Sequence, residues 1–284
     1  MRTELKYAKK IVIKIGTSSL TYSNGNINLR KIEQIAKVLT DLKNRGREVI
    51  LVSSGSVGAG MNRLGLKERP SNLKNKQAIA AVGQAILMQY YEQFFKEYNQ
   101  TIAQLLLTKD VVLDDIKRTN VVNTITRLLD MGVIPIANEN DSVATDEIKM
   151  FKIGDNDTLS SMVTTIIEAD ALLMLSDIDG LYDSCPSKNS SASLIPYVNE
   201  VDENIHLMAG STNSNIGTGG MVTKIKAAEK LQKKGISMVI ANGKDLDIIY
   251  DILEGKEVGT FFNGKLKGAK YDTAWTYRKK FTKI

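Results

Sequence analysis

The sequence IVIKIG at residues 11–16, with the patterns that follow it, decides the fold class. Its β-branched residues predict a short buried strand that stops at Gly16. Leucine and isoleucine recur at helical spacing over residues 28–45, and Gly46 follows as a helix stop. EVILV at 48–52 then predicts a second strand. A strand, a helix and a strand of these lengths predict a parallel βαβ unit.

The same alternation continues along the chain. Strands are predicted at 101–107, 133–137, 171–175, 236–241 and 258–262, and helices at about 73–98, 115–130, 159–168, 221–234 and 245–254. A Ser/Asn/Pro-rich stretch at 184–199 is interpreted as a mobile surface loop. No internal repeat or clear linker divides the chain, so we expect an α/β fold with a mostly parallel sheet and helices on both faces.

Composition excludes several classes of protein. Of 284 residues, 43% are hydrophobic and 25% are charged, which is typical of a globular chain and not of a disordered, collagen-like or coiled-coil one. The formal net charge of +6 suits polyanionic ligands such as nucleotides. Aromatic residues make up only 6%, which disfavours a surface that stacks nucleic-acid bases.

Cysteine and histidine usage narrows the chemistry further. A single cysteine excludes an internal disulfide framework and favours a reducing compartment. A single histidine excludes multi-histidine metal sites and disfavours Ser-His-Asp and Cys-His hydrolases. No apolar run approaches the roughly 18 residues of a membrane span. The charged start of the chain lacks the apolar core of a signal peptide. We therefore expect a cytoplasmic protein with no membrane partner.

Lys14 lies in an otherwise apolar strand, directly before Gly16, Thr17 and Ser18. Burial of an unpaired ammonium is costly, so Lys14 is predicted to face an anion. The alternative is an edge strand with Lys14 in solvent. A strand-end lysine beside a Gly-Thr-Ser turn favours a phosphate site, because backbone N–H groups and the charge converge there.

Two glycine-rich segments are candidates for anion binding. SSGSVGAG at 53–60 is predicted to be a turn after the second strand, although tight packing alone would also explain its glycines. GTGGMVTK at 217–224 leads into a helix that carries Lys224 in its first turn. Backbone donors, the helix dipole and the ammonium would point at one anion; the alternative is a loop before a basic helix face. Neither segment matches a dinucleotide fingerprint or a Walker A motif.

Two clusters, NEND at 138–141 and GDND at 154–157, combine carboxylates with amides. Asn and Asp also form turns, so each cluster alone is equally typical of a loop. Together they offer groups for an ammonium, a lysine or a metal. His206 and Cys185 have no partner pattern and are interpreted as non-catalytic.

These segments resemble the amino acid kinase family, in its branch that phosphorylates L-glutamate, over about residues 10–265. The matching segments, in chain order, are IVIKIGTSSLT, ILVSSGSVGAG, KQAIAAVGQAILM, NENDSVATDEI, IGDNDTLS, SDIDGLYD and IGTGGMVTK. The resemblance implies a three-layer αβα sandwich. It also implies transfer of the γ-phosphoryl group of MgATP to the side-chain carboxylate of L-glutamate, the first step of proline biosynthesis. It further implies a homo-oligomer and possible feedback inhibition by proline.

The resemblance also assigns roles to residues. Lys14 and Lys224 are the implied phosphate-stabilising pair, and Asp157 the carboxylate that positions them. The implied glutamate-binding residues are Ser54, Asp141 and Asn156. The implied nucleotide contacts are Lys14, Gly16, Ser176, Asp177, Thr218, Gly219, Gly220, Met221, Val222, Thr223 and Lys224. Because a carboxylate is already ionised at neutral pH, the reaction needs positioning and charge neutralisation and no general base. Mg²⁺ is expected to be held mainly by the ATP phosphates, with no protein metal site.

The sequence departs from the family pattern at three places. Ser176 stands where the family often has Thr, and both residues carry a hydroxyl. The segment 142–155 is slightly longer than is common, so its conformation is left open. The chain ends soon after VGTFF at 258–262, so residues 1–284 are expected to form a single catalytic domain without the RNA-binding-like C-terminal domain of many members.

Three other functions stay open at this point. One is another kinase of the same family, acting on aspartate, acetylglutamate, uridylate or carbamate. A second is a non-catalytic sensor of a nucleotide or amino acid, which the presence of Lys14, Lys224 and Asp157 disfavours. A third is a nucleic-acid-binding module, which the modest charge and few aromatics disfavour.

Overall fold

A computed structural model describes residues 2–22, 26–68, 70–143, 156–211 and 220–264. The strands there are β1 (Lys10–Ile15), β2 (Glu48–Ser53), β3 (Ile102–Leu107), β4 (Ile134–Glu139), β5 (Ala171–Ser176), β6 (Tyr197–Val198), β7 (Ser237–Asn242) and β8 (Thr260–Phe262). The helices are α1 (Thr17–Leu20), α2 (Leu29–Asn44), α3 (Ser56–Arg63), α4 (Leu73–Glu97), α5 (Asp115–Asp130), α6 (Asn156–Ile166), α7 (Glu203–Ser211), α8 (Met221–Gln232) and α9 (Ile248–Leu253), with short 3₁₀ helices at Arg2–Tyr7 and Lys109–Val112.

The described strands form one sheet in the order β3-β4-β2-β1-β5-β7-β8-β6. All neighbours are parallel except β7 and β8, which confirms the prediction of a mostly parallel sheet. β1 lies between β2 and β5, with Lys14 opposite Val52 on one side and Met174 on the other. The alternative of a solvent-exposed edge strand for Lys14 is therefore wrong.

Helices cover both faces of the sheet, as the sequence predicted. Ile11, Ile13 and Ile15 of β1 pack into a core with α2, α4 and α9. Val12 packs into a second core with residues of α5, α6, α7 and α8. Since side chains alternate along a strand, Lys14 points to the same face as Val12. That face carries α6 and α8, which supply its partners.

Local sequence explains where the helices begin and end. The Asn28 side chain accepts a hydrogen bond from the Lys31 N–H and caps α2, and Asp114 caps α5 in the same way. After α2, Gly46 adopts a φ of 82°, which glycine tolerates best. No helix in the described ranges is both long and apolar enough to cross a lipid bilayer.

The glycine-rich segment SSGSVGAG is mostly helix and not a turn. Only Ser54 and Gly55 lie between β2 and α3, and the φ of Gly55 is 107°. The glycines within α3 allow a close crossing with α4, since a Cβ on Gly60 would lie 2.0 Å from the Ile79 carbonyl oxygen. Glycine weakens helix propensity, so its packing role concealed the helix in the sequence.

Other boundaries differ from the predictions by a few residues. β4 extends to Glu139, so the NEND cluster begins inside the strand and does not follow it. α6 begins at Asn156, three residues earlier than predicted. Neither α7 nor β6 was predicted, and β6 lies in the 184–199 stretch, where it pairs with β8. A β-bridge between Tyr182 and Leu194 also closes a loop that includes most of that stretch.

Candidate functional site

Polar side chains gather where the parallel strands end, at the edge where ligands bind in such sheets. Around the ends of β2 and β4, the residues Ser54, Ser56, Asn138, Asp141 and Asn156 form what we call the β2–β4 side. Gly16, Ser176, Asp177 and Gly243 lie around the end of β5 and form the β5–β7 side. Asp157, Lys14 and Lys224 lie on the face of β1 that carries α6 and α8.

Asp157 holds two buried ammonium groups, one on each carboxylate oxygen. Lys14 Nζ lies 2.7 Å from Oδ1, and Lys224 Nζ lies 2.9 Å from Oδ2. The Thr223 hydroxyl also donates to Oδ2 at 2.7 Å. Asp157 is 2% exposed and the lysines 6–7%. The predicted trio therefore lies together, although its members are far apart in the sequence.

Ion pairing outweighs burial in setting the charge of Asp157. Burial alone would raise the pKa of this carboxyl, but Lys14 and Lys224 lower the pKa to about 2. Asp157 is thus ionised at neutral pH. Because both of its oxygens bind ammonium groups, its role in this arrangement is to orient the lysines.

The helix starts explain why these side chains converge. Asp157 is the second residue of α6, and Thr223 and Lys224 lie in the first turn of α8. Gly220 precedes α8, and its carbonyl accepts hydrogen bonds from the N–H and hydroxyl of Thr223. Two helix N-termini therefore face β1, which favours negative charge at this point.

The β2–β4 side is a network of side-chain amides and hydroxyls. Asn156 Nδ2 donates to Ser54 Oγ at 2.9 Å and to Asn138 Oδ1 at 3.0 Å. It also lies 3.2 Å from the Ser53 carbonyl oxygen. The buried Oδ1 of Asn156 has no hydrogen-bond partner in the part of the chain that the structure describes. An acceptor left in this state is suited to a donor on a ligand.

Asp141 joins this side through Ser56, whose hydroxyl donates to Asp141 Oδ2 at 2.9 Å. Asp141 also lines a cavity of about 250 Å³ together with Gln84 and Gln104. Gln84 Oε1 accepts from Asn138 Nδ2 at 2.8 Å, which ties the cavity wall to the Asn156 network. Of the implied glutamate-binding residues, Ser54 and Asn156 therefore bond to each other, and Asp141 lines a cavity whose wall is joined to their network.

Behind this network, α4 supports the end of β2. The fully buried Tyr91 hydroxyl lies 2.8 Å from Ser53 Oγ, which also donates to the Ser54 carbonyl. Burial raises the pKa of Tyr91, so its phenol stays protonated. The close α3–α4 crossing fixes the same region, because a Cβ on Gly83 would lie 1.8 Å from the Ser56 carbonyl oxygen.

The β5–β7 side is built chiefly by the backbone. The Gly243 N–H donates to the Ser176 carbonyl at 2.7 Å, and Ser176 Oγ donates to Asp177 Oδ1 at 3.0 Å. A Cβ on Gly16 would lie 3.5 Å from Lys14 Nζ, so the chain passes close to the ammonium. Gly16 follows β1 and Ser176 is the last residue of β5, so both lie at the same edge of the sheet.

Some predictions lie outside the described residues. Thr218 and Gly219 do so, and so does most of the 142–155 segment. Of the remaining implied nucleotide contacts on α8, Met221 is buried and Val222 is half-buried.

His206 and Cys185, which were interpreted as non-catalytic, make side-chain contacts with residues other than Lys14, Lys224 and Asp157. His206 Nε2 lies 3.2 Å from a Glu229 carboxylate oxygen, which links α7 to α8. Cys185 Sγ lies 3.1 Å from Ser187 Oγ. Among the described residues, no group of three His, Cys, Asp or Glu could hold a metal ion.

Sequence reasoning missed the supporting residues Ser56, Asn138 and Tyr91. Asn138 belongs to the NEND motif, so its place after an apolar run was an available signal. Ser56 begins a helix and points to a residue 85 positions away, which no local pattern reveals.

Comparison with known proteins finds close relatives of the chain. The sequence profile of the amino acid kinase family matches residues 9–242. A protein named glutamate 5-kinase from Enterococcus faecalis is 52% identical over 263 residues, covering 92% of this chain and 97% of the relative. One of the same name from Clostridium perfringens is 48% identical, with 93% and 99% covered.

The fold is also that of solved structures. A UMP kinase from Bacillus anthracis superimposes with a TM-score of 0.61 at 19% sequence identity, covering 91% of this chain and 97% of the other. Likeness at this identity concerns the fold alone, and it agrees with the predicted αβα sandwich. The family profile and the close relatives identify the chain as a member of the amino acid kinase family, on the branch whose relatives are named glutamate 5-kinase.

Proposed function

We propose that the protein transfers the γ-phosphoryl group of MgATP to the side-chain carboxylate of L-glutamate and forms L-glutamyl 5-phosphate. The observation that carries this proposal is the buried Asp157 carboxylate, which holds Lys14 at 2.7 Å and Lys224 at 2.9 Å. Relatives about half identical over more than nine tenths of the chain bear the name glutamate 5-kinase, which specifies the acceptor.

The two ammonium groups suit a phosphoryl group in transfer. Negative charge spreads over its oxygens in the transition state, and preorganised donors stabilise that charge without reorganisation. Because Asp157 binds one lysine on each oxygen, both ammonium groups are fixed relative to each other before substrates arrive. Lys14 and Lys224 are the proposed catalytic residues, and Asp157 the residue that positions them.

The acceptor requires no base from the protein. The glutamate side chain is ionised at neutral pH, so its oxygen attacks the γ-phosphorus while the bond to the ADP oxygen breaks. The chain's single histidine, His206, can therefore serve in a contact between α7 and α8 instead of in catalysis. ATP brings Mg²⁺ on its phosphates, where the ion retains several waters. We assign no protein ligand to it.

The β2–β4 side is proposed to bind glutamate. Asp141 would accept hydrogen bonds from the α-ammonium, and Asn156 Oδ1 offers a second acceptor. The Ser54 hydroxyl would contact the carboxylate of glutamate that does not react. These groups touch parts of glutamate that do not react, so they would act mainly on its binding.

The nucleotide is proposed to lie on the β5–β7 side and over the start of α8. Gly16, Ser176 and Asp177 would contact it there. The segment from Thr218 to Lys224 would contribute backbone donors and the Lys224 ammonium. This placement rests on the resemblance and on the position of these residues at the carboxyl ends of β1 and β5.

Three further expectations stay predictions. We propose that residues 1–284 act as one catalytic domain, which the continuity of the sheet from residue 10 to residue 262 supports. Self-association is expected from the family. If proline inhibits the enzyme, it should compete with glutamate, because it carries the same α-carboxylate and an ammonium.

Hydroxylamine trapping tests the proposed function. An acyl phosphate reacts with hydroxylamine to give a hydroxamate, whereas phosphorylated hydroxyl groups or nucleotides do not. Purified protein, ATP and Mg²⁺ should yield hydroxamate with L-glutamate and much less with aspartate. A carboxylate displaced by about an ångström can cost on the order of a hundredfold in rate. Equal rates with aspartate, or ATP consumption with uridylate alone, would contradict the proposal.

A further inference from the structure

Lys31, near the start of α2, carries a buried ammonium outside the site described above. It is 8% exposed, and its Nζ donates to the Gly243 carbonyl at 3.1 Å and to the Lys244 carbonyl at 2.6 Å. Gly243 and Lys244 form the turn that directly follows β7. Lys31 therefore connects a helix on one face of the sheet to the turn beside the end of β5.

These bonds fix the turn firmly. Burial of an ammonium is costly unless its donors are used, and a charged donor makes a stronger hydrogen bond than a neutral one. A second tether runs from the same helix, since Gln34 Nε2 donates to Asp245 Oδ1 at 2.7 Å. Both contacts therefore run from the start of α2 to residues 243–245.

The turn is itself bonded to the proposed nucleotide-binding residues at the end of β5. The Gly243 N–H donates to the Ser176 carbonyl at 2.7 Å, directly before Asp177. The fit is close, because a Cβ on Gly243 would lie 3.1 Å from Ser19 Oγ and 3.2 Å from Leu175 Cβ. A shift of the turn would therefore move the end of β5 or lose its hydrogen bond.

We propose that Lys31 is a positioning residue for ATP: by holding the Gly243–Lys244 turn, it fixes Ser176 and Asp177 in the arrangement that binds the nucleotide. The inference rests on the proposed function, in which these two residues contact ATP. Lys31 itself contacts the two backbone carbonyls and the Gln34 side-chain oxygen, at 3.3 Å, and no proposed substrate atom. Its removal should weaken ATP binding and leave glutamate binding and turnover at saturation largely unchanged.

The test compares Lys31→Met with Lys31→Arg and with Lys37→Met. Methionine retains much of the length of the stem and removes the ammonium, whereas arginine retains a charge and donors. Lys37 is exposed on the same helix, so Lys37→Met is a matched control. If the released turn adopts the binding arrangement about a tenth of the time, the apparent KM for ATP rises about tenfold.

The expected pattern is specific to positioning. Lys31→Met should raise the KM for ATP about tenfold with little change in kcat or in the KM for glutamate. The KM for ATP should rise less in Lys31→Arg, and it should match the wild-type value in Lys37→Met. An unchanged KM for ATP in Lys31→Met, or equal losses for both substrates, would overturn the proposal. Should Lys31→Met fail to fold, Lys31→Gln, which also removes the charge, takes its place, and an unchanged KM for ATP in that variant would overturn the proposal likewise.

Calorimetric titration with ATP separates this inference from the proposed function. A wild type that binds ATP but forms no hydroxamate with glutamate would refute the proposed acceptor. The ratio of ATP affinities between the wild type and Lys31→Met would still test Lys31. Equal affinities in the two proteins would reject the role of Lys31, whatever the acceptor.

Discussion

The β2–β4 side and the β5–β7 side end at the same edge of the sheet but are built from different atoms. On the β2–β4 side, side chains bond to side chains, as Asn156 does to Ser54 and Ser56 does to Asp141. On the β5–β7 side, backbone groups carry the order, as between Gly243 and Ser176. Hydroxyl and amide side chains present varied groups to a small polar ligand, whereas a backbone cradle approaches a ligand closely.

This contrast predicts how each side responds to substitution. On the β2–β4 side, truncating one side chain removes a recognition atom or the group that orients it. On the β5–β7 side, the recognising backbone cannot be truncated, so substitutions act through its supports, such as Lys31. Asp157 lies between the two sides and joins β1 to α8 through its two lysines.

The largest effect is expected at Lys224, whose buried ammonium lies 2.9 Å from Asp157. Lys224→Ala removes a preorganised charge donor, which typically costs about 2.7–4 kcal/mol of transition-state stabilisation. We expect kcat to fall roughly a hundredfold or more, with a much smaller change in the KM for glutamate. Lys226→Ala, at an exposed position on the same helix, is the control. Near-native turnover of Lys224→Ala would remove this lysine from the mechanism.

Asp141→Ala should act on one side only. Hydrogen bonds to charged groups contribute about 1.5–3 kcal/mol, so the KM for glutamate should rise roughly ten- to a hundredfold. ATP affinity measured by calorimetry should stay within about twofold, since Asp141 belongs to the β2–β4 side. A collapse of ATP binding in this variant would contradict the division of the site into two sides.

The pH dependence of stability should report the Asp157 ion pairs. Its pKa is lowered from 3.8 to about 2 in the folded protein, so its contribution is fully present above about pH 4. That contribution, about 2 kcal/mol, should be lost as the pH falls from about 4 to about 2. Urea unfolding across this range should show a steeper loss of stability in the wild type than in Asp157→Asn. Parallel curves would show that the carboxylate is not held by the lysines.

The smallest effect is expected at Ser56, which only orients Asp141. Ser56→Ala removes one hydrogen bond worth about 1 kcal/mol, so the KM for glutamate should rise about fivefold. In an Asp141→Ala background the same substitution should change nothing further, because the two residues act as a unit. Additive effects of the two substitutions would mean that Ser56 contacts glutamate by itself.

The fold was largely predictable because its signals are local. Apolar runs mark the strands, and Asn28 and Gly46 mark the ends of α2. The prediction of a turn over SSGSVGAG was wrong, because its glycines serve a helix crossing that only the partner helix reveals. The same limitation applies to Gly83, whose neighbour lies on another helix.

The site was predictable only where a resemblance named its residues. Lys14 and Lys224 were the exceptions, since a lysine in an apolar strand and a lysine after a glycine-rich loop each predict an anion, and Asp157 is such an anion within the chain. Lys31 and Tyr91 gave no signal, because their partners lie 212 and 38 residues away. Supports of this kind depend on tertiary packing, which spacing along the chain does not encode.

The most direct test of the account is steady-state kinetics of Asp157→Asn, with both substrates varied. In the proposed mechanism, Asp157 orders Lys14 and Lys224 for phosphoryl transfer and contacts neither glutamate nor the nucleobase. This mechanism predicts a kcat lowered roughly a hundredfold or more, with the KM values for glutamate and ATP changed far less. Circular dichroism should show that the variant is folded. A folded Asp157→Asn protein with near-native kcat would contradict the account.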